Sequence, residues 1–159
     1  MSNQTITLNN HFRLSYPDGF HVMDEKEREK LNFLLEGPGE VLTDPERHIM
    51  ISIGWKVPGG LTSMLVSVKD AAKSMEARVR KPMRSYGYQA NGFVTKTVGG
   101  ENAEGFCYEY EAQGTGMYAE SYVLKHKRVF YYLHFYARRK LKDENLGIWA
   151  AMLSSAIWI

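Results

Sequence analysis

What most limits the possible folds of this chain is the stretch from residue 104 to 137, where side-chain character alternates with a period of two in three successive segments. In Glu104–Ala112, Phe106, Tyr108 and Tyr110 share one parity, and Cys107, Glu109 and Glu111 share the other. In Met117–Lys125, Met117, Ala119, Ser121 and Val123 oppose Tyr118, Glu120, Tyr122 and Leu124. In Val129–Ala137 both parities are largely apolar or aromatic, Val129, Tyr131, Leu133 and Phe135 against Phe130, Tyr132, His134 and Tyr136. A period of two with aromatic and β-branched side chains belongs to strands, and short connections make them antiparallel neighbours. The last strand is apolar on both faces, so both faces of its sheet need cover.

The flanking segments suggest where that cover comes from. Thr5–Leu8 and Phe12–Ser15 read as short strands, followed by a Tyr16-Pro17-Asp18-Gly19-Phe20 turn and a return to extended chain over Phe20–Met23. Asp24 and Glu27 form a capping box for a helix with Leu31, Leu34 and Leu35 as its apolar stripe. Gly37-Pro38-Gly39 ends that helix; residues 37–47 read as loop and His48–Trp55 as a strand. Val68, Ala71, Ala72, Met75, Val79 and Met83 recur at helical spacing, with Lys69, Lys73, Glu76, Arg80 and Arg84 as the solvated side. Ser67 or Thr62 starts this helix, and Pro82 kinks or ends it. Phe93–Val98 is a further strand. Asp143 caps a terminal helix with Leu146, Trp149, Ala150, Leu153 and Ile157 as its stripe. The expected fold is α+β, an α/β/α sandwich whose mainly antiparallel sheet is covered by helices on both faces.

A length of 159 residues suits a single domain spanning 1–159 and a core that needs no staple. The lone Cys107 cannot form an internal bridge. The N-terminal residues show no secretory pattern, and no apolar run approaches the roughly 18–20 residues that span a bilayer. The chain is therefore expected to be cytoplasmic, with no membrane contact. A net charge of +2 asks for no polyanionic partner. Charge is nonetheless uneven: residues 101–120 hold five Glu and no Lys or Arg, whereas 125–142 hold seven Lys or Arg and no acid. That asymmetry fits either an interaction surface or cross-strand pairing.

This order of elements, with Tyr16, Pro17 and Gly19 in the turn and Ser154-Ser155 closing a Trp-Ala-Ala-Met-Leu-Ser-Ser-Ala helix, resembles the PsbP-like superfamily over roughly Phe12 to the end. The matching positions are structural ones. The resemblance implies an α/β/α fold and a non-catalytic binding or adaptor role, and it names no ligand.

None of the five histidines has the i, i+4 spacing of a zinc helix, and no Cys-x-x-Cys occurs, so no metal or other cofactor is expected. Cys107 lies among tyrosines and carboxylates, which favour an inert thiol. No Gly-x-Ser-x-Gly elbow or phosphate loop is present. His134 with Glu109 or Glu120 is the one dispersed acid/base pairing the sequence offers; a core histidine bonded to a neighbouring tyrosine is the simpler reading. The basic residues flank Val129–Ala137 at both ends, some 30 Å apart at about 3.3 Å per residue, so they form no single nucleic-acid patch. The leading expectation is a non-catalytic module that contacts a protein partner or a small ligand through a sheet edge, with Tyr136, Arg138, Arg139 and Lys140 as contacts. A dispersed enzyme site and a weak nucleic-acid surface are the alternatives.

Overall fold

A computed structural model describes residues 3–30, 37–60 and 65–159 of the chain. The three alternating segments are long antiparallel strands, β7 (Glu101–Ala112), β8 (Thr115–His126) and β9 (Val129–Arg138), preceded by β6 (Gln89–Val98). Two-residue turns join them, Gly99-Gly100, Gln113-Gly114 and Lys127-Arg128, and all six turn residues have positive φ. That conformation at both central positions matches the right-handed twist of the strands it joins, which is why such tight hairpins hold their register. Gly105 adds a second constraint. A Cβ there would lie 2.2 Å from the Ser121 carbonyl oxygen and 2.5 Å from the Tyr122 ring, so the close strand approach requires glycine.

Three strands complete the sheet: β3 (His21–Val22), β4 (Gly39–Asp44) and β5 (Ile49–Lys56). The order is β3-β4-β5-β9-β8-β7-β6, with every neighbouring pair antiparallel. The chain leaves β5, crosses the sheet through α2 (Val68–Met83), and returns by the meander to pair β9 with β5. A short α1 (Glu25–Glu29) follows β3, and its Asp24–Glu27 capping box is formed in both directions. The Leu31, Leu34 and Leu35 stripe and the alternative helix start at Thr62 lie outside the described residues.

Each face of the large sheet has its own cover. On the helix face, Ala72 and Met75 of α2 pack on Phe106, Tyr108, Ala119, Val123 and Phe130. On the opposite, sandwich face lies a second sheet of β1 (Asn3–Leu8), β2 (Phe12–Pro17) and β10 (Ile157–Trp158), together with α3 (Lys142–Ser154). There Trp149, Met152 and Leu153 meet Ile51, Leu133, Phe135 and Ala137, with the Trp149 and Phe135 rings stacked 5.4 Å apart. The fold is α+β, with a mainly antiparallel sheet and a helix on each face. Ser155 ties α3 to β2: its hydroxyl accepts the Ser15 N–H at 2.8 Å. Gly19, at φ +106°, brings the Tyr16–Phe20 turn against Asp44; a Cβ there would sit 2.8 Å from the Asp44 carboxylate.

Several local expectations are corrected. Residues 39–44 are strand rather than loop, because pairing with β5 buries Val41 and Leu42. Ile157 belongs to β10, paired with Arg13, and not to the terminal helix. Asp143 lies inside the first turn of α3, and Leu141 takes the cap position. Ala150 is exposed on that helix, whereas Asn145 is buried and donates to the Arg47 carbonyl at 3.1 Å. Glu76 is buried as well, since it shares the inward side of α2 with Ala72 and Met75. Its carboxylate accepts the Tyr88 hydroxyl at 2.9 Å and faces Arg80 at 3.6 Å.

Candidate functional site

Alternation along β9 decides where the candidate residues point. Phe130, Tyr132 and Tyr136 face α2, while Tyr131, Leu133, Phe135 and Ala137 enter the sandwich core. β9 has neighbours on both sides, so Tyr136, Arg138, Arg139 and Lys140 leave the sheet at the end of a central strand rather than along a lateral edge.

At that end of the helix face, the β4–β5 turn, the β7–β8 turn and the last residues of β9 enclose an open groove of about 410 Å³. Met50, Tyr110, Met117 and Tyr136 line its floor and are half-buried. Cross-strand pairing assembles them, with Tyr110 opposite Met117, Met117 opposite Arg138, and Tyr136 opposite Met50. His48, Thr115 and Arg138 belong to the rim, together with Thr43, Asp44 and Pro45. The Asp44 carboxylate is buried and satisfied internally: it accepts the backbone N–H of Glu46 and of Arg47, each at 3.1 Å, and binds the Arg47 guanidinium.

The phenols of this region stay protonated near neutral pH. Burial pushes Tyr110 up to about 12. Burial and the neighbouring Tyr110 raise Tyr136, against a hydrogen bond shared with Tyr108 that acts the other way. Tyr108 is raised too, first by burial. The Tyr88, Tyr108 and Tyr110 rings follow one another at 5.1 and 5.8 Å and continue the aromatic surface towards α2. The groove thus offers an apolar floor, neutral hydroxyls and a basic rim.

Two of the four contact residues read from the sequence, Tyr136 and Arg138, line this groove. Arg139 does not: its guanidinium is 3.3 Å from Glu109 and donates to the Tyr110 carbonyl at 3.4 Å. Lys140 is exposed in the short helical turn Arg139–Leu141. The floor partners Met50, Tyr110 and Met117 were missed, although Tyr110 shares a parity with Tyr108 in the sequence.

The acid/base pairing is not formed. His134 lies on the helix face, where its Nδ1 and the Ser121 hydroxyl are 2.7 Å apart; the expected tyrosine is not its partner there. Burial, helped by the Arg78 charge, lowers its pKa to about 4, so the ring is neutral. Glu109 and Glu120 lie on the other face, in register with Tyr118 and Cys107. Buried Glu120 accepts the Tyr118 hydroxyl at 2.6 Å and the Tyr122 hydroxyl at 2.9 Å, with Lys96 at 4.0 Å. Burial raises the Cys107 thiol and Glu120 adds to the rise, which leaves it protonated. Among the described residues, no three His, Cys, Asp or Glu side chains gather to hold a metal ion. No helix among them is long and apolar enough to cross a membrane.

The sequence matches no protein-family model and no curated protein. Solved structures share its architecture. Cyanobacterial PsbP (CyanoP) from Synechocystis superposes with a TM-score of 0.72 at 14 % identity, covering 99 % of this chain and 93 % of that one. LpqN of Mycobacterium tuberculosis, a protein involved in cell envelope biogenesis, gives 0.60 at 13 % identity over 99 % and 90 %. The Saccharomyces cerevisiae Ran-binding protein Mog1p gives 0.59 at 11 % identity over 98 % and 95 %. The chain has the PsbP-like fold, and at these identities the likeness is one of fold.

Proposed function

We propose that residues 1–159 act as one non-catalytic binding module, which docks a protein partner on the strand-end groove that holds Tyr136 and Arg138. The observation that supports this most is the convergence of half-buried Met50, Tyr110, Met117 and Tyr136 beneath an exposed Arg138. Aromatic and methionine side chains under a polar rim are what protein contact surfaces favour. The trough is open, which suits a segment of protein chain better than a small molecule; small ligands are mostly enclosed by their sites. One protein of this fold, Mog1p, is a Ran-binding protein. Lys140 is exposed two residues beyond Arg138, while Arg139 serves the sheet through Glu109. The role asks for no cofactor, and the compartment within this reading is the cytoplasm.

Site-specific photo-cross-linking tests the proposal. A benzophenone side chain at Thr115, on the groove, is expected to capture a defined protein in the native lysate. The same probe at exposed Thr5 on β1 should not, and adding Arg138→Glu to the Thr115 probe should abolish the capture. Equal labelling from both positions, or labelling indifferent to Arg138→Glu, would overturn it.

A further inference from the structure

Resting on that reading, we infer that the groove selects an acidic segment of the partner that carries one aromatic or large aliphatic side chain. The floor sets the apolar half of this requirement. Met50 and Met117 are flexible and polarizable, so they can close around a ring or a branched side chain, and Tyr110 and Tyr136 add flat aromatic area.

The rim sets the charge. Arg138 and His48 are exposed at the groove, and Lys140 follows two residues after Arg138. The one acid in the rim, Asp44, is taken up by Arg47, and Glu109 of β7 is taken up by Arg139. Glu46 is the exposed acid of the β4–β5 turn and lies outside the groove lining. A carboxylate of the partner would therefore meet an Arg138 fork able to bind it through two parallel N–H donors. The Tyr110 and Tyr136 phenols carry no charge and do not repel such a segment. A basic segment would instead meet like charge, a mismatch that discriminates between partners as strongly as the attraction does.

The test is an NMR titration of the full chain with three blocked pentapeptides: Glu-Glu-Phe-Glu-Glu, Glu-Glu-Ala-Glu-Glu and Lys-Lys-Phe-Lys-Lys. The first is expected to shift the amides of Tyr110, Thr115, Met117, Tyr136 and Arg138, with an affinity that falls as salt rises. The alanine and lysine peptides should bind at least several-fold more weakly. Arg138→Glu, checked for a dispersed native spectrum, should reverse the preference between the two phenylalanine peptides. Equal or tighter binding of the lysine peptide, shifts elsewhere on the surface, or no binding of any peptide would overturn the inference. If cross-linking at Thr115 still captures a partner in that case, the docking reading survives and only the charge and side-chain preference fails. If capture fails as well, both fall.

Discussion

His134 is expected to make the stability of this fold depend on pH between about 6.5 and 4. Burial and the Arg78 charge take the imidazole from the ordinary 6.5 down to about 4 in the folded protein. Between those values the unfolded chain binds a proton that the native state refuses, so stability is fully present above pH 6.5 and declines as pH falls towards 4. One pKa unit is worth about 1.4 kcal/mol, which puts the loss at roughly 2–3 kcal/mol by pH 4.5. Glu27 and Glu104 are shifted below the ordinary carboxylate value of 4.5, so the stability they contribute is lost mainly at still lower pH. The assay is urea unfolding at pH 7.5, 6.0, 5.2 and 4.5 for the native chain and for His134→Gln, which can keep a hydrogen bond to Ser121 but cannot charge. The variant should give up about 1 kcal/mol at pH 7.5 through imperfect packing. Its decline towards pH 4.5 should then be shallower than that of the native chain by roughly 2 kcal/mol. Parallel pH profiles would refute the reasoning, as would an imidazole proton of His134 titrating near 6.5 in NMR spectra.

Two further outcomes follow from the packing. Gly105→Ala should cost about 2–4 kcal/mol, since its Cβ would overlap the Ser121 carbonyl and the Tyr122 ring, and thermal unfolding reads this directly. Tyr88→Phe removes the donor that satisfies buried Glu76 and should cost about 1–3 kcal/mol in urea unfolding. The double change Tyr88→Phe, Glu76→Leu should recover part of that loss, because no carboxylate is then left buried without its donor.

The meander was legible because its information is local. Period-two parity and two-residue turns at 99–100, 113–114 and 127–128 fix register by counting along the chain. The same count could have dismissed the acid/base pairing. A turn at Lys127-Arg128 pairs Val129 with His126, and stepping back pairs Phe135 with Glu120 and His134 with Ser121. Glu120 and His134 must then point to opposite faces. β4 and β10 were not legible, because each is a short segment that becomes strand only through a partner distant in sequence, β5 and β2. Half of the groove shares that cause. Tyr136 and Arg138 stand out as an aromatic beside a basic run, but Met50 and His48 arrive through the pairing of β5 with β9. Arg139 follows the strand end and turns to Glu109, outside the groove lining.

Why the groove lies on the helix face follows from the amount of cover each face receives. Seven strands about 4.8 Å apart span roughly 30 Å, and a strand of 12 residues is about 40 Å long. A helix of 16 residues is about 24 Å long and about 10 Å wide, so α2 alone cannot roof such a surface. The sandwich face is closed by a second sheet and a helix, and its inward side chains on β9, Tyr131, Leu133, Phe135 and Ala137, are all buried. On the helix face α2 packs over β7 and β8. Tyr132 and Tyr136 of β9 and Met50 of β5 are left half-buried. Amphipathic side chains are the economical choice for such a margin: their rings and thioethers shed water where cover exists, and phenolic hydroxyls keep hydrogen bonds where it stops. Among the described residues, α2 is the helix that packs over this face, the sheet is broader than that helix, and the half-buried tyrosines and the groove lie along the margin of its cover.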